Sequence, residues 1–105
     1  MNDVIKQLLS KQSTPFFIFD INAVEQLYKD IKRDNTTILY AIKANPLTQL
    51  IKKLYDLGSS FDVASKGEID ELLSLGITGD RISYGNPNKK IEDIKYAYNN
   101  GVMYY

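Results

Sequence analysis

The chain contains no histidine and no cysteine, which removes the usual general base, the commonest metal ligand and every thiol nucleophile. Chemistry is left to Lys, Asp, Glu and Tyr, or to a borrowed cofactor. Three such residues stand where chemistry could be sited: Lys43 follows the apolar run 38–42, Asp62 lies within the run 61–64, and Glu68 comes three residues after Ser65. A lysine held among apolar groups at a strand end loses solvation in its charged form, so the neutral amine becomes available to condense with an aldehyde. Alternation puts Leu39, Ala41 and Lys43 on one strand face and Ile38, Tyr40 and Ile42 on the other, while Asp62 shares a face with Ala64. Each residue also has a plainer reading. A strand-terminal lysine commonly stretches its charge into water, a lone aspartate commonly caps a helix, and Glu68 is the natural capping partner of Ser65.

The elements that must position these residues follow from periodicity. Residues 3–11 read as a short helix with Val4, Ile5, Leu8 and Leu9 on one face, stopped by Ser13, Thr14 and Pro15. Residues 16–19 form an apolar run of strand length. Asn22 with Glu25 resembles a capping box, and Val24, Leu27, Tyr28 and Ile31 give the next helix its stripe. Apolar runs then begin at 38, 61, 82 and 102, a spacing of roughly twenty residues, with a helical pattern between each pair. The first of these helices is expected to open with Asn45 as N-cap and Pro46 at its first position, and to carry Leu47, Leu50, Ile51 and Leu54. The second opens with Ser65 and Glu68 and carries Ile69, Leu72 and Leu73; the third carries Ile91, Ile94 and Tyr98. Gly58, Gly76 and Gly101 fall where left-handed C-caps are wanted.

Strand and helix in regular alternation imply an α/β protein with parallel strands, covered on both faces. About four such strands fit either an open doubly wound sheet or part of a (β/α)8 barrel, and local pattern does not separate the two. In either, ligands gather at the C-terminal ends of the strands. That rule nominates Lys43 to Asn45, the end of the second strand near Ser65, and Tyr84 to Asn86. A barrel needs about 250 residues to close, so a chain that stops at Tyr105 inside a fourth strand reads as truncated.

Composition bounds the partners. The chain has 44% hydrophobic and 25% charged residues, values of an ordinary folded domain and not of a disordered one. Thirteen basic and thirteen acidic residues cancel and form no stripe, so nucleic acid is not an expected partner. No apolar stretch reaches the ~20 residues of a membrane span, and the first dozen residues lack the order of a signal peptide. Membrane is likewise not expected, and the default location is the cytoplasm.

Three segments carry a family resemblance. Tyr40-Ala41-Ile42-Lys43-Ala44-Asn45-Pro46, Phe61-Asp62-Val63-Ala64-Ser65-Lys66-Gly67-Glu68-Ile69 and Arg81-Ile82-Ser83-Tyr84-Gly85-Asn86-Pro87 resemble, in order and spacing, the N-terminal barrel region of fold-type III decarboxylases acting on ornithine, lysine, arginine or diaminopimelate. Thr14 to Asp20 looks like the family's lead-in strand. The resemblance covers about residues 14–105. It implies that Lys43 binds pyridoxal 5'-phosphate through its amine, that Asp62 lies beside the cofactor, and that the fold is the opening part of a (β/α)8 TIM-type barrel. Residues 1–36 would be a lead-in helix, strand and helix, and residues 37–105 the first half of the barrel. The phosphate-binding glycine-rich loop, the stacking histidine, the acid that pairs with the ring nitrogen and a C-terminal β-domain would come later in such a chain. The implied reaction is decarboxylation of a basic amino acid, with ornithine to putrescine as first choice, in a full-length protein expected to be a homodimer. The isolated 105 residues are expected to be inactive. A non-catalytic remnant that associates with related subunits, and a pyridoxal-phosphate carrier, are the alternatives.

Overall fold

The computed structural model describes residues 2–105. Helix α1 spans Asp3–Lys11 and α2 spans Ile21–Ile31. Three strand and helix pairs follow: β1 Leu39–Ala41 with α3 Thr48–Leu57, β2 Ser60–Val63 with α4 Lys66–Ser74, and β3 Ile82–Tyr84 with α5 Ile91–Asn99. The strands lie in the order β1-β2-β3, and both pairings are parallel. The expected fourth strand is reduced to one parallel bridge, Ser83 to Tyr104, where Tyr84 N donates to Tyr104 O at 2.9 Å.

The core lies on one side of this sheet. Phe61, Val63, Ile82 and Tyr84 point into it and are at most 2% exposed, and Leu50, Ile51 and Leu54 of α3 and Ile69 and Leu72 of α4 are buried with them. Burying each large side chain contributes about 1.5–3 kcal/mol, which fixes the register. The alternate residues face the other way: Leu39 is 50% exposed, and Ala41, Asp62 and Ser83 are half-buried. The expectation of cover on both faces is therefore corrected. Among the described residues only the helix side is covered, because α3 and α4 both pack on the Phe61 side.

Several local expectations hold. Gly58, Gly76 and Gly101 all have positive φ, and Ser65 Oγ caps α4 by accepting from Glu68 N at 3.2 Å. Other expectations change. Residues 16–19 are not a strand: among the described residues they pair with nothing, and Phe17 is fully exposed. Helix α2 is capped by Asp20, which accepts from Asn22 N and Ala23 N, and not by Asn22. Helix α3 starts at Thr48, because Asn45 spends its side chain on a turn, accepting from Leu47 N at 3.2 Å. On α5 the expected stripe is outward: Ile91, Ile94 and Tyr98 are exposed, and Ala97 is the buried residue. No helix among the described residues is long and apolar enough to cross a membrane.

Polar ties join the layers. Arg81 donates from Nε to Ser59 O at 3.1 Å and from Nη2 to Tyr55 O at 3.2 Å, with its guanidinium 4.5 Å from the Tyr55 ring centre. It thus fastens the end of α3 and the residues that follow it to the start of β3. Lys66 bridges to Asp70 at 3.1 Å and sits 4.2 Å over the Tyr96 ring, whose hydroxyl donates to Asp70, so α4 is clasped to α5. The Tyr96 hydroxyl and then Lys66 hold the Asp70 carboxyl below its ordinary value.

Glu25 ties α2 to α3, with Lys29 Nζ at 2.8 Å and Lys53 Nζ at 2.7 Å. Hydrogen bonds from Lys29 and Lys53, reinforced by their charges, lower its carboxyl from 4.5 to about 2. A folded-state value below the unfolded one stabilises above the unfolded value and fades as pH falls through the folded value. Glu25→Gln should therefore lose less stability than the wild type on going from pH 4.5 down to about 2, as read by urea midpoints at each pH. Tyr28 is 7% exposed, and its hydroxyl is buried with no hydrogen-bond partner among the described groups. Since an unpaired buried hydroxyl retains its desolvation cost, Tyr28→Phe should raise unfolding free energy by about 1 kcal/mol in the same assay.

Candidate cofactor site

Strand β1 ends at Ala41, and the chain turns at once through a single 3-10 turn, Ile42–Ala44. Ile42, 1% exposed, is driven into the core, so Lys43 is left on the opposite side, at the C-terminal edge of the sheet. One strand over, Asp62 is paired in register with Ala41 on one side and Ser83 on the other. Beyond β3 the chain runs through Gly85, Asn86 and Pro87. Together Lys43, Asp62, Ala64, Gly85 and Asn86 line an open cavity of about 260 Å³. Two residues chosen from separate sequence segments are thus brought together, in a place the strand-end rule nominated.

A larger cavity of about 370 Å³ lies at the other end of the sheet, among Leu39, Ser60, Arg81 and Ile82. Its lining has Asp80 and Arg81 but no lysine, and it sits where the strands begin. Ligand sites of parallel α/β sheets lie at the opposite end, so size is the poorer guide here.

The walls of the smaller cavity are built from short reaches. Asn86 Nδ2 donates to Ala64 O at 3.0 Å while its Oδ1 accepts from Asn88 N at 3.0 Å, pinning the loop after β3 onto the end of β2. Gly85 N donates to Val63 O at 2.8 Å. Glu68 Oε2 accepts from Ala64 N at 3.3 Å, so its carboxylate serves the turn into α4 as the structural reading expected, though from Ala64 and not from the cap residue Ser65. Gly85 and Asn86 were in a nominated strand end, yet nothing in their types singled them out as cavity walls.

Lys43 differs from its expectation in one respect. Its side chain is exposed, and among the described residues no carboxylate lies within salt-bridge distance of it. Alternation expected an amine desolvated by apolar neighbours. The 3-10 turn instead carries it past the last strand residue, onto the open side of the sheet.

Comparison with known proteins defines the class first: residues 20–105 match the pyridoxal binding domain of the pyridoxal-dependent decarboxylases, and the chain belongs to that family. Among particular relatives, the ornithine decarboxylase of Saccharomyces cerevisiae is 42% identical over 94 residues, which are 88% of this chain and 20% of the relative. The lysine decarboxylase structure from Selenomonas ruminantium superposes with a TM-score of 0.84 at 35% identity, covering 98% of this chain and 28% of that one. The arginine decarboxylase of Paramecium bursaria Chlorella virus, bound to agmatine, gives 0.86 at 31% identity, covering 97% and 29%. The chain spans about a fifth to a quarter of the length of the curated relatives it matches.

The cavity's donor set fits the reactive end of a pyridoxal group. Lys43 offers a primary amine for the aldehyde, and Asp62 a carboxylate on the same side of the sheet, half-buried between Ala41 and Ser83. Gly85 makes room for that carboxylate: a Cβ there would lie 2.3 Å from Asp62 Oδ1. Gly85→Ala should therefore swing the Asp62 side chain to another rotamer. A crystal structure of the variant should show the displaced carboxylate, with unfolding free energy changed by no more than about 1 kcal/mol, since one short side chain gives way and the backbone does not.

Proposed function

We propose that this chain carries the cofactor-anchoring portion of a pyridoxal-phosphate-dependent decarboxylase of basic amino acids, with Lys43 as the residue that binds the cofactor and ornithine as the first-choice substrate. The observation that supports this most directly is that Lys43 and Asp62, from separate segments, share one cavity at the C-terminal edge of a parallel sheet. Residues 37–105 are read as the opening βα units of a (β/α)8 barrel, with residues 1–36 as the lead-in. The bare sheet face, with Leu39 half exposed and Ala41, Asp62 and Ser83 half-buried, is what the interior of such a barrel would present before later strands cover it. A homodimer belongs to the same reading and rests on the family alone, and a cytoplasmic location is the default carried over from the sequence.

Pyridoxal phosphate, when bound, supplies a conjugated ring that accepts the electron pair left as the α-carboxylate departs as CO2. The chain's residues hold and move protons around it. Lys43 Nζ would be the amine that holds the cofactor, and once released it would be the group that carries a proton to the substrate's α-carbon. The Asp62 carboxylate provides an acceptor for a cationic amine in the same cavity. An amine must be neutral to attack a carbonyl, and withdrawing a lysine from water favours that form. Activity thus belongs to a protein in which the open face is covered and Lys43 is desolvated, and residues 1–105 by themselves would have little.

The test is borohydride reduction of the intact protein with pyridoxal phosphate, followed by peptide mass spectrometry. The label should fall on Lys43, and Lys43→Arg should lose both the label and about 10²–10⁴-fold in decarboxylation rate. A label on another lysine in an active preparation would overturn the assignment.

A further inference from the structure

We infer that Tyr40 is the positioning residue for Lys43: its hydroxyl holds the Asn45 carbonyl and thereby fixes the turn on which the amine is mounted. The inference rests on the proposed role of Lys43 and deepens it.

No carboxylate lies within salt-bridge distance of Lys43 among the described residues, so its position is set by its backbone. That backbone is a single 3-10 turn, with Ala41 before it giving no side-chain cap. A lone 3-10 turn has poor hydrogen-bond geometry and little stiffness of its own. Two attachments hold it. Ile42 is driven into the core at 1% exposure, and Tyr40 Oη donates to Asn45 O at 3.1 Å, closing a loop over the three residues of the turn. Asn45 also accepts from Leu47 N through its own side chain. The same residue therefore links the lysine turn to the start of α3.

The donor is well placed to act as a fixed post. Tyr40 is on the helix-side face of β1, and its ring lines an apolar groove of about 270 Å³ with Val24, Tyr28, Ile38, Leu50 and Leu54. Burial pushes its hydroxyl above the ordinary tyrosine value, so it remains a protonated donor through the neutral range. The groove contains an internal control as well. Tyr28 lines the same walls, but its hydroxyl has no partner. Removing one oxygen from either tyrosine is the same chemical change in one groove, and only one of the two touches the lysine turn.

The experiment compares wild type, Tyr40→Phe and Tyr28→Phe in the intact protein, measuring three quantities for each: affinity for pyridoxal phosphate by absorbance titration, borohydride-trapped adduct at Lys43 by peptide mass spectrometry, and thermal unfolding midpoint without cofactor. Tyr40→Phe should weaken capture by Lys43 about three- to tenfold, the size of one lost hydrogen bond, at a temperature where all three proteins are fully folded. Tyr28→Phe should capture as the wild type does. If Tyr40→Phe also captures as the wild type does, or loses capture only in step with its folded fraction, the positioning role is overturned. A wild type that traps no adduct at Lys43 instead removes the cofactor reading itself, and this inference with it.

Discussion

A strand residue faces one side of its sheet or the other by parity alone, and in this chain hydrophobic burial decides the parity. Phe61, Val63, Ile82 and Tyr84 are sealed beneath the helices, and each is worth a kcal/mol or more of the driving force for folding. Asp62 and Ser83 have the opposite parity and must face the bare side. A slip of one residue would reverse every assignment and drive a carboxylate into the core, at a cost no single interaction of Asp62 could offset. The carboxylate is therefore beside Ala41 because its neighbours are buried, and owes little to any bond it makes itself.

Beyond the strand ends parity no longer applies, and placement passes to turns. Lys43 is carried on a 3-10 turn, Asn45 on a side-chain turn that precedes α3, and Gly85 to Pro87 on a loop pinned to Ala64 through Asn86. These are short-range devices, and each works only because a buried neighbour holds it: Ile42 for the first, the Tyr40 ring for the second, Val63 and Tyr84 for the third. Preorganisation of the cavity thus depends on packing directly behind it. The exposure of Lys43 belongs to the same picture, since the turn that carries it leaves the covered face for the bare one.

Much of the architecture could be read from residue types. The parallel α/β class, the helices around Leu50, Ile51 and Leu54 and around Ile69 and Leu72, the Ser65 cap and the glycine turns all rest on local periodicity or local backbone preference, which operate within a few residues. Two of the misreadings, at residues 16–19 and on α5, share an origin, in that each needed a partner far along the chain. Residues 16–19 have the composition of a strand, but a strand is made by its hydrogen-bonding neighbour, and none of the described residues fills that place. Asp20 and Asn22 are both good caps two residues apart, and the helix takes the earlier one, whose carboxylate reaches both Asn22 N and Ala23 N. On α5 the larger side chains Ile91, Ile94 and Tyr98 promised the buried stripe, but the tight approach to the sheet admits Ala97.

Sequence by itself determined the parallel α/β class and the family, and singled out an amine and a carboxylate as candidates, because those depend on periodicity within elements and on the order of residues along the chain. Tertiary structure decided that Lys43 and Asp62 share one cavity, that Gly85 and Asn86 complete it, and that the amine stands in water on a turn tied down by Tyr40. Such facts depend on which residues become neighbours across the sheet, and that is settled only when separate elements bury their apolar faces together.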